Sequence, residues 1–531
     1  MRKPSPIEPN SKPQRRDEVS NVLKDAYSIW LYAANAYTRT SIRAIPGNTI
    51  VTTPASPSKK TLAGLAPPPL KPASFLATVR STKGNPFEII PLQAYEQPFY
   101  LSKWLLGPVL MVNDPEGVRR VLLDNVANYP KEEMGDEFFS AMFGEGLLSA
   151  PGAKWRTHRK VMAPSFGTRT VESYAPAMVE TTVAFADRWD TLPQSSEMDI
   201  AAEMQALTLK IICRTMFSSD AEELAAHADQ ALDFAQASLE FGLLDVLPVI
   251  GPWRIKRKQE AIRAHFKSMD AAIYRLIGER EKIHNEAPKD FLTRLVAAKD
   301  PDDGVGLNAN EVRDEVITIF MAGHETTAVT MTWVWYLLSQ HPAEEAMLHR
   351  ELDAVLGGRI PTVEDLPHLP YTRMVIEETM RVYPPAPGIS LREAKEADEL
   401  CGFKVRPGLQ ILVSPWILHR HRRLWDDPER FDPTRFAKES SEKRPRFAYL
   451  PFGGGPRVCI GATLAMTETI LILAVLAQRF RLRLKEGEVV TLQTRITLRP
   501  KNGMMTILER REPVAQPDRG REPPPQQVAI R

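Results

Sequence analysis

Apolar residues recur at three- and four-residue spacing along much of this chain, notably over 178–189, 200–217, 221–240 and 260–284. That period puts them on one stripe of an α-helix. Strand-like runs are short and few: 109–112, 404–405 and 410–413, then 480–484 and 505–508 near the end. The pattern predicts a single large domain, mainly α with small β-sheets, and no segment repeats at a fixed period.

One helix stands apart by length. Asn308 and Glu311 have the spacing of a capping pair, and the apolar pattern then continues to about residue 340. At 1.5 Å per residue the helix is roughly 48 Å long. Its middle has the hydropathy of a membrane span, but His324, Glu325 and two threonines at the centre make lipid a costly surrounding. A buried core helix fits better. Gly323 costs about 1 kcal/mol in a helix interior. Thr326 and Thr327 can bond back to the preceding turn. These residues predict a local distortion where a small molecule can approach the backbone. His324 reads as packing, or as a hydrogen bond within the helix.

The ends differ from the middle. Residues 1–70 read as an extension, partly disordered, with one short helix near 20–43; its apolar stretch 26–37 is too short to span a bilayer. Residues 53–72 read as a linker, and 511–531 as a disordered tail. The first 16 residues are charged and proline-rich, unlike a secretory signal. The domain proper is then 71–510.

Composition narrows the function classes. At 531 residues, 43% hydrophobic and 25% charged, the chain is not dominated by disorder. Lys plus Arg is 68 against 66 for Asp plus Glu, so the overall basic surplus of a nucleic-acid protein is missing. Three cysteines cannot build a disulfide framework. Cys213 and Cys401 read as buried core thiols.

Cys459 sits differently. It ends the run Phe452-Gly453-Gly454-Gly455-Pro456-Arg457-Val458-Cys459-Ile460-Gly461, and an apolar helix follows. Glycines and proline make this a rigid turn. A thiol at a helix N-terminus near an arginine is biased toward thiolate, which serves as nucleophile or metal ligand. A nucleophile needs a nearby base, and no local histidine supplies one. A single cysteine in such a loop suits one axial bond to a haem iron.

The run resembles the haem-binding signature of the cytochrome P450 superfamily at every fixed position: Phe452, Gly455, Arg457, Cys459 and Gly461. Other segments resemble family motifs in the family's order, over about 70–510. Glu378 and Arg381 resemble its Glu-x-x-Arg pair. Arg430, in Pro428-Glu429-Arg430-Phe431, resembles the arginine that joins that pair in a buried ion network. The resemblance gives these three a structural role. Ala322-Gly323-His324-Glu325-Thr326-Thr327 resembles the oxygen-binding stretch; by that likeness Gly323 makes room for dioxygen, Thr326 orients water and Glu325 relays protons. Trp155 and Arg159 resemble the Trp-x-x-x-Arg that binds a haem propionate, Arg392 a second propionate-binding arginine, and His419 a position at the haem edge.

The resemblance implies a haem b monooxygenase of the soluble bacterial type, with Cys459 as axial ligand. A non-turnover haem sensor has no need of the acid–threonine pair. Peroxygenase and isomerase relatives commonly lose it. Implied partners are a ferredoxin or flavodoxin with an NAD(P)H-dependent reductase, and an apolar small-molecule substrate. Lining is expected from 138–148, 239–250, 320–327 and 384–390. No fused flavin or iron–sulfur domain is expected after Cys459, since about 70 residues follow it and none is a cysteine. No nucleic-acid binding and no stable membrane insertion are expected, and a cytoplasmic monomer is. Basic clusters at Lys154, Arg156, Arg159 and Lys160, and at Arg420, Arg422 and Arg423, suggest a face for an acidic electron donor.

Overall fold

The computed structural model describes residues 85–104, 107–218, 250–282, 290–300, 304–389, 391–494 and 496–512, with isolated positions outside those runs. The helix expected near 20–43, nearly all of that at 221–240 and the tail beyond 512 lie outside the described residues.

Among the described residues, ten helices carry the architecture: α1 (Glu133–Phe143), α2 (Gly152–Met162), α3 (Thr168–Asp190), α4 (Ile200–Phe217), α5 (Ile250–Lys282), α6 (Phe291–Ala297), α7 (Ala309–Gln340), α8 (Pro342–Leu356), α9 (Pro370–Val382) and α10 (Ala462–Arg479). The strands are β1 (Phe99–Trp104), β2 (Gly107–Val112), β3 (Glu197–Asp199), β4 (Arg392–Glu393), β5 (Asp398–Leu400), β6 (Phe403–Val405), β7 (Gln410–Leu412), β8 (Phe480–Leu484), β9 (Leu492–Thr494), β10 (Leu498–Pro500) and β11 (Met505–Arg510). Among the described residues they form four small sheets, ordered β1-β2-β7-β4, β3-β11-β8, β9-β10 and β5-β6. The expected fold class is the observed one.

α7 runs through the centre of the main apolar core, which α3, α4, α9 and α10 also build. Its start is the expected capping box: the Asn308 side chain accepts from the N–H groups of Asn310 and Glu311, and Glu311 accepts from Asn308 N. These bonds satisfy N–H groups that a helix start leaves orphaned. The expected distortion is not there; the helix continues unbroken from Ala309 to Gln340. Thr326, Thr327, Thr330 and Thr332 each donate to the carbonyl four residues back. These back-bonds satisfy the hydroxyls without opening the helix. His324 behaves as expected, its Nδ1 lying 2.7 Å from Phe320 O.

A smaller core lies under β2 and β7, built from Leu110, Leu122, Ile411, Phe447 and Leu450. It backs the approach to the cysteine loop. Part of the stretch read as a linker is anchored: Ala63 N donates to the Tyr336 hydroxyl and Ala63 O accepts from Tyr383, each at 2.9 Å. Both tyrosines are buried. α10 is long and apolar enough to cross a membrane, but most of it is buried in the core.

Candidate haem-thiolate site

The cysteine loop is closed by its own backbone. Cys459 N donates to Phe452 O at 2.9 Å, and Val458 N to Gly455 O at 3.1 Å. Gly455 has φ +70°, and a Cβ there would lie 1.8 Å from Leu122 O. Only glycine fits, because backbone stands where a side chain would go. Ala465 N donates to Gly461 O as α10 begins. Phe452 packs against the main core.

α2 locks onto this loop. Arg159 Nη1 donates to Val458 O at 2.8 Å, and Arg457 Nη2 to Ala150 O at 2.9 Å. The Arg457 guanidinium lies 4.6 Å from the centroid of the Trp155 ring, a cation–π contact. The structure thus brings Trp155, Arg159, Arg457 and Cys459 together. His158, between them, is buried, with Nδ1 2.6 Å from Oε1 of the fully buried Glu315 on α7. Sequence reasoning missed that pair, because no local spacing links two residues 157 apart.

The Cys459 side chain can be reached by solvent at the loop tip, yet protein surrounds it on most sides. That desolvation raises the thiol; the Gly461 N–H and the Arg159 charge pull the other way without winning. Burial therefore works against the expected thiolate bias, and the cation that opposes desolvation is Arg159, not Arg457. A bound metal cation reverses this balance, since a coordinating thiol is deprotonated outright. The donor set fits a single bond to a haem iron: one sulfur, glycines that leave it accessible, and the Arg159 cation of α2 beside it.

At mid-length α7 presents a second accessible surface. Ala322 is exposed and Gly323 and Thr326 are partly so, while Met321, His324, Glu325 and Thr327 are buried. Gly323 has a packing reason of its own: a Cβ there would stand 2.3 Å from Ile212 Cδ1 of α4. The Glu325 carboxylate is buried and accepts from Thr497 Oγ1 at 2.7 Å.

Behind the loop, the Glu378–Arg381 pair is fully buried. Arg381 Nε and Nη2 hold the two carboxylate oxygens of Glu378 at 2.7 and 2.8 Å. The remaining donors reach the carbonyls of His419, Pro428 and Arg430 at 2.8–2.9 Å. The third cation is not Arg430. That side chain is 57% exposed and lies 3.6 Å from Asp432, contributing only its backbone carbonyl to the network. Arg435 takes the place, with Nε 3.5 Å from Glu378 Oε1. The sequence holds two Arg-Phe pairs five residues apart, and only burial tells them apart.

Arg392 lies buried in β4, paired with Ile411 of β7 and bridged to Lys131. His419 is not at an accessible edge. It is fully buried, its Nε2 accepts from Leu450 N at 2.8 Å, and burial holds its pKa well below the usual value. The donor-face clusters also divide. Arg420 is buried over Trp416, and Lys154, Lys160 and Arg422 pair with nearby acids. Arg156 and Arg423 stay exposed, Arg156 on the helix that holds the cysteine loop.

The comparisons agree with this geometry. The sequence model "Cytochrome P450" matches residues 66–507. Cyclooctatin synthase of Streptomyces melanosporofaciens is 35% identical, over 78% of this chain and 86% of that protein. The cyclooctat-9-en-7-ol 5-monooxygenase of the same organism is 36% identical, over 71% and 81%. The crystal structure of the cytochrome P450DA haem domain superposes with a TM-score of 0.70 at 24% identity, covering 78% of this chain and 90% of that one. A family match spanning most of the chain, with an accessible cysteine held in a glycine loop at the start of α10, makes this protein a member of the cytochrome P450 family, a haem-dependent monooxygenase.

Proposed function

We propose that the chain hydroxylates an apolar small molecule, with electrons passed from NAD(P)H by a separate reductase and a ferredoxin or flavodoxin. One atom of dioxygen enters the substrate. The other leaves as water, with two electrons from NAD(P)H and two protons. Haem, when bound, supplies the oxygen-activating and electron-accepting chemistry. Cys459 would hold its iron through the sulfur, and Arg159, Trp155, Arg457 and Arg392 would supply cationic and hydrogen-bonding surroundings.

The observation that carries this reading is the accessible face of α7 at Ala322 and Thr326, with the buried Glu325 carboxylate just before Thr326. Glu325 holds and passes protons, and Thr326 orients the water that takes them inward; its hydroxyl, now donating to Ala322 O at 2.8 Å, is free to accept. The substrate class is supported by buried Phe138, Met142 and Phe143 along α1. It is also supported by the relative named as a cyclooctat-9-en-7-ol 5-monooxygenase. Most of 239–250, read as lining, lies outside the described residues. A monomer in the cytoplasm fits a structure in which, among the described residues, the one helix long and apolar enough to cross a membrane is mostly buried.

Thr326→Ala and Glu325→Gln should keep haem and ligand-induced spectral shifts while product per NAD(P)H falls, positioned proton transfer being worth roughly 10²–10⁴-fold. Unchanged coupling in both removes the assignment. Cys459→Ser should abolish the red-shifted band of the reduced carbon monoxide complex; if it survives, the ligand is elsewhere. Arg156→Glu should slow reduction by an acidic ferredoxin most at low salt, and an unchanged salt dependence moves the donor face off α2.

A further inference from the structure

One partner of the Glu325 carboxylate lies outside its own helix. Thr497 lies 172 residues away in sequence, in the turn between β9 and β10, and its hydroxyl donates to Glu325 Oε1 at 2.7 Å. Both groups are buried, Thr497 to 2% and Glu325 to 7% exposure. The same hairpin is fastened to α7 a second time, where Trp333 Nε1 donates to Leu498 O of β10 at 2.8 Å. Leu498 N in turn donates to Pro385 O at 3.0 Å, in the segment after α9 read as substrate lining. At the far side of the hairpin, the Thr494 hydroxyl donates to Asn85 Oδ1 at 3.0 Å.

A carboxylate that accepts a hydroxyl hydrogen bond in a dry setting is held in one orientation. A threonine hydroxyl can also accept. It can therefore stay bonded to the acid in both protonation states. Replacing it by an apolar isostere takes that partner from the carboxylate and leaves the packing in place.

We propose that Thr497 is a positioning residue for Glu325, and that the β9–β10 turn thereby ties proton delivery on α7 to the substrate-lining segment at Pro385. The proposal rests on the reading of Glu325 as the proton-relaying acid. A substrate that presses on the Pro385 segment or on the hairpin moves Thr497, and with it the direction in which the carboxylate points. Thr497 acts through Glu325 and touches no reacting atom.

The test uses the haem-loaded full chain. Thr497→Val removes the hydroxyl at nearly constant shape, and Thr497→Ser keeps it. The valine variant should lower product per NAD(P)H by about three- to tenfold and enlarge the solvent deuterium isotope effect on product formation. The serine variant should stay within about twofold of wild type. In a Glu325→Gln background, Thr497→Val should add little, because coupled residues are not additive. A readout independent of turnover is the C–O stretch of the reduced carbon monoxide complex. It should shift or broaden in the valine variant and hold in the serine variant, while amide hydrogen exchange across 492–500 stays as in wild type.

Equal defects in Thr497→Ser and Thr497→Val would make the role one of packing and overturn the proposal. So would unchanged coupling and isotope effect in Thr497→Val beside an uncoupled Glu325→Gln. If Glu325→Gln itself couples like wild type, the acid assignment falls, and the positioning role falls with it. Should the valine variant fail to load haem, Thr497→Ala with the same readouts decides between these outcomes.

Discussion

Replacing Arg381, Arg435 and Arg430 one at a time by leucine should give three different losses, in that order of severity. Arg381 is fully buried and makes five hydrogen bonds, two to Glu378 and one each to the carbonyls of His419, Pro428 and Arg430. Its loss strands a buried carboxylate, which costs about 3–5 kcal/mol. It also leaves three carbonyls without this donor, at about 1–3 kcal/mol for each that stays dry. The sum reaches the whole stability of an ordinary protein, about 5–15 kcal/mol. No folded, haem-loaded protein is expected.

Arg435 is 15% exposed, with an ion pair to Glu378 at 3.5 Å and one hydrogen bond to Asp427 O at 3.0 Å. Glu378 keeps Arg381 and the Asp432 N–H when Arg435 is gone. The loss should be about 1–3 kcal/mol, with haem content reduced but measurable. Arg430 is 57% exposed beside Asp432 at 3.6 Å. Such a pair is worth about 0–1 kcal/mol, and the carbonyl that Arg381 uses survives any side-chain change. Haem per polypeptide after purification and the urea midpoint of each variant measure the series. An Arg430→Leu protein as depleted in haem as Arg435→Leu would refute the reasoning.

Gly455→Ala should fail to load haem, because its Cβ would meet the Leu122 carbonyl at 1.8 Å in a left-handed conformation; a loaded variant with a wild-type spectrum would contradict this. Gly323→Ala meets only the tip of Ile212, at 2.3 Å. Overpacking costs about 1–3 kcal/mol, partly offset by about 1 kcal/mol of helix propensity. Adding Ile212→Val should recover thermal stability lost in Gly323→Ala, and no recovery would mean the clash is not the cause. His349 is buried near Arg511, Arg481 and Arg483, and burial first, then those charges, holds it down to about 3. A folded pKa below the unfolded value near 6.5 gives stability that is complete above about 6.5 and lost as pH falls toward 3. His349→Gln should flatten the acid side of the stability curve by roughly 2–3 kcal/mol at pH 4; parallel curves for both proteins would exclude His349.

What the sequence made legible follows from the range over which each signal acts. The α7 cap, the strands at 410–412 and 480–484, and the cysteine loop are local: the residues that set them lie within a few positions of one another. Elements that depend on a distant partner were harder to read. The hairpin β9–β10 has three-residue strands, too short for a period-two pattern to show, and it gains its place through bonds to Trp333 and Pro385. The start of α9 illustrates the same limit, since its cap comes from another helix: Glu351 of α8 accepts from Tyr371 N, Thr372 N and the Thr372 hydroxyl at 2.6–2.8 Å.

The site divides along the same line. Cys459, Phe452, Gly455, Arg457 and Gly461 form one continuous loop, so their identity as a unit is visible in ten letters. Whether the thiol ionises is not, because that depends on the desolvation imposed by everything packed around it, and burial outweighs the nearby Arg159 charge. The exchange of Arg430 for Arg435 has the same origin. Both arginines precede a phenylalanine, and Phe431 and Phe436 are both buried. What separates the arginines is the bend at Asp432, which caps the short turn Pro433–Phe436 through Thr434 N and donates its own N–H to Glu378. That turn carries Arg435 toward the carboxylate and leaves Arg430 facing solvent. A motif therefore locates the network to within a few residues, and the capping geometry decides which cation enters it.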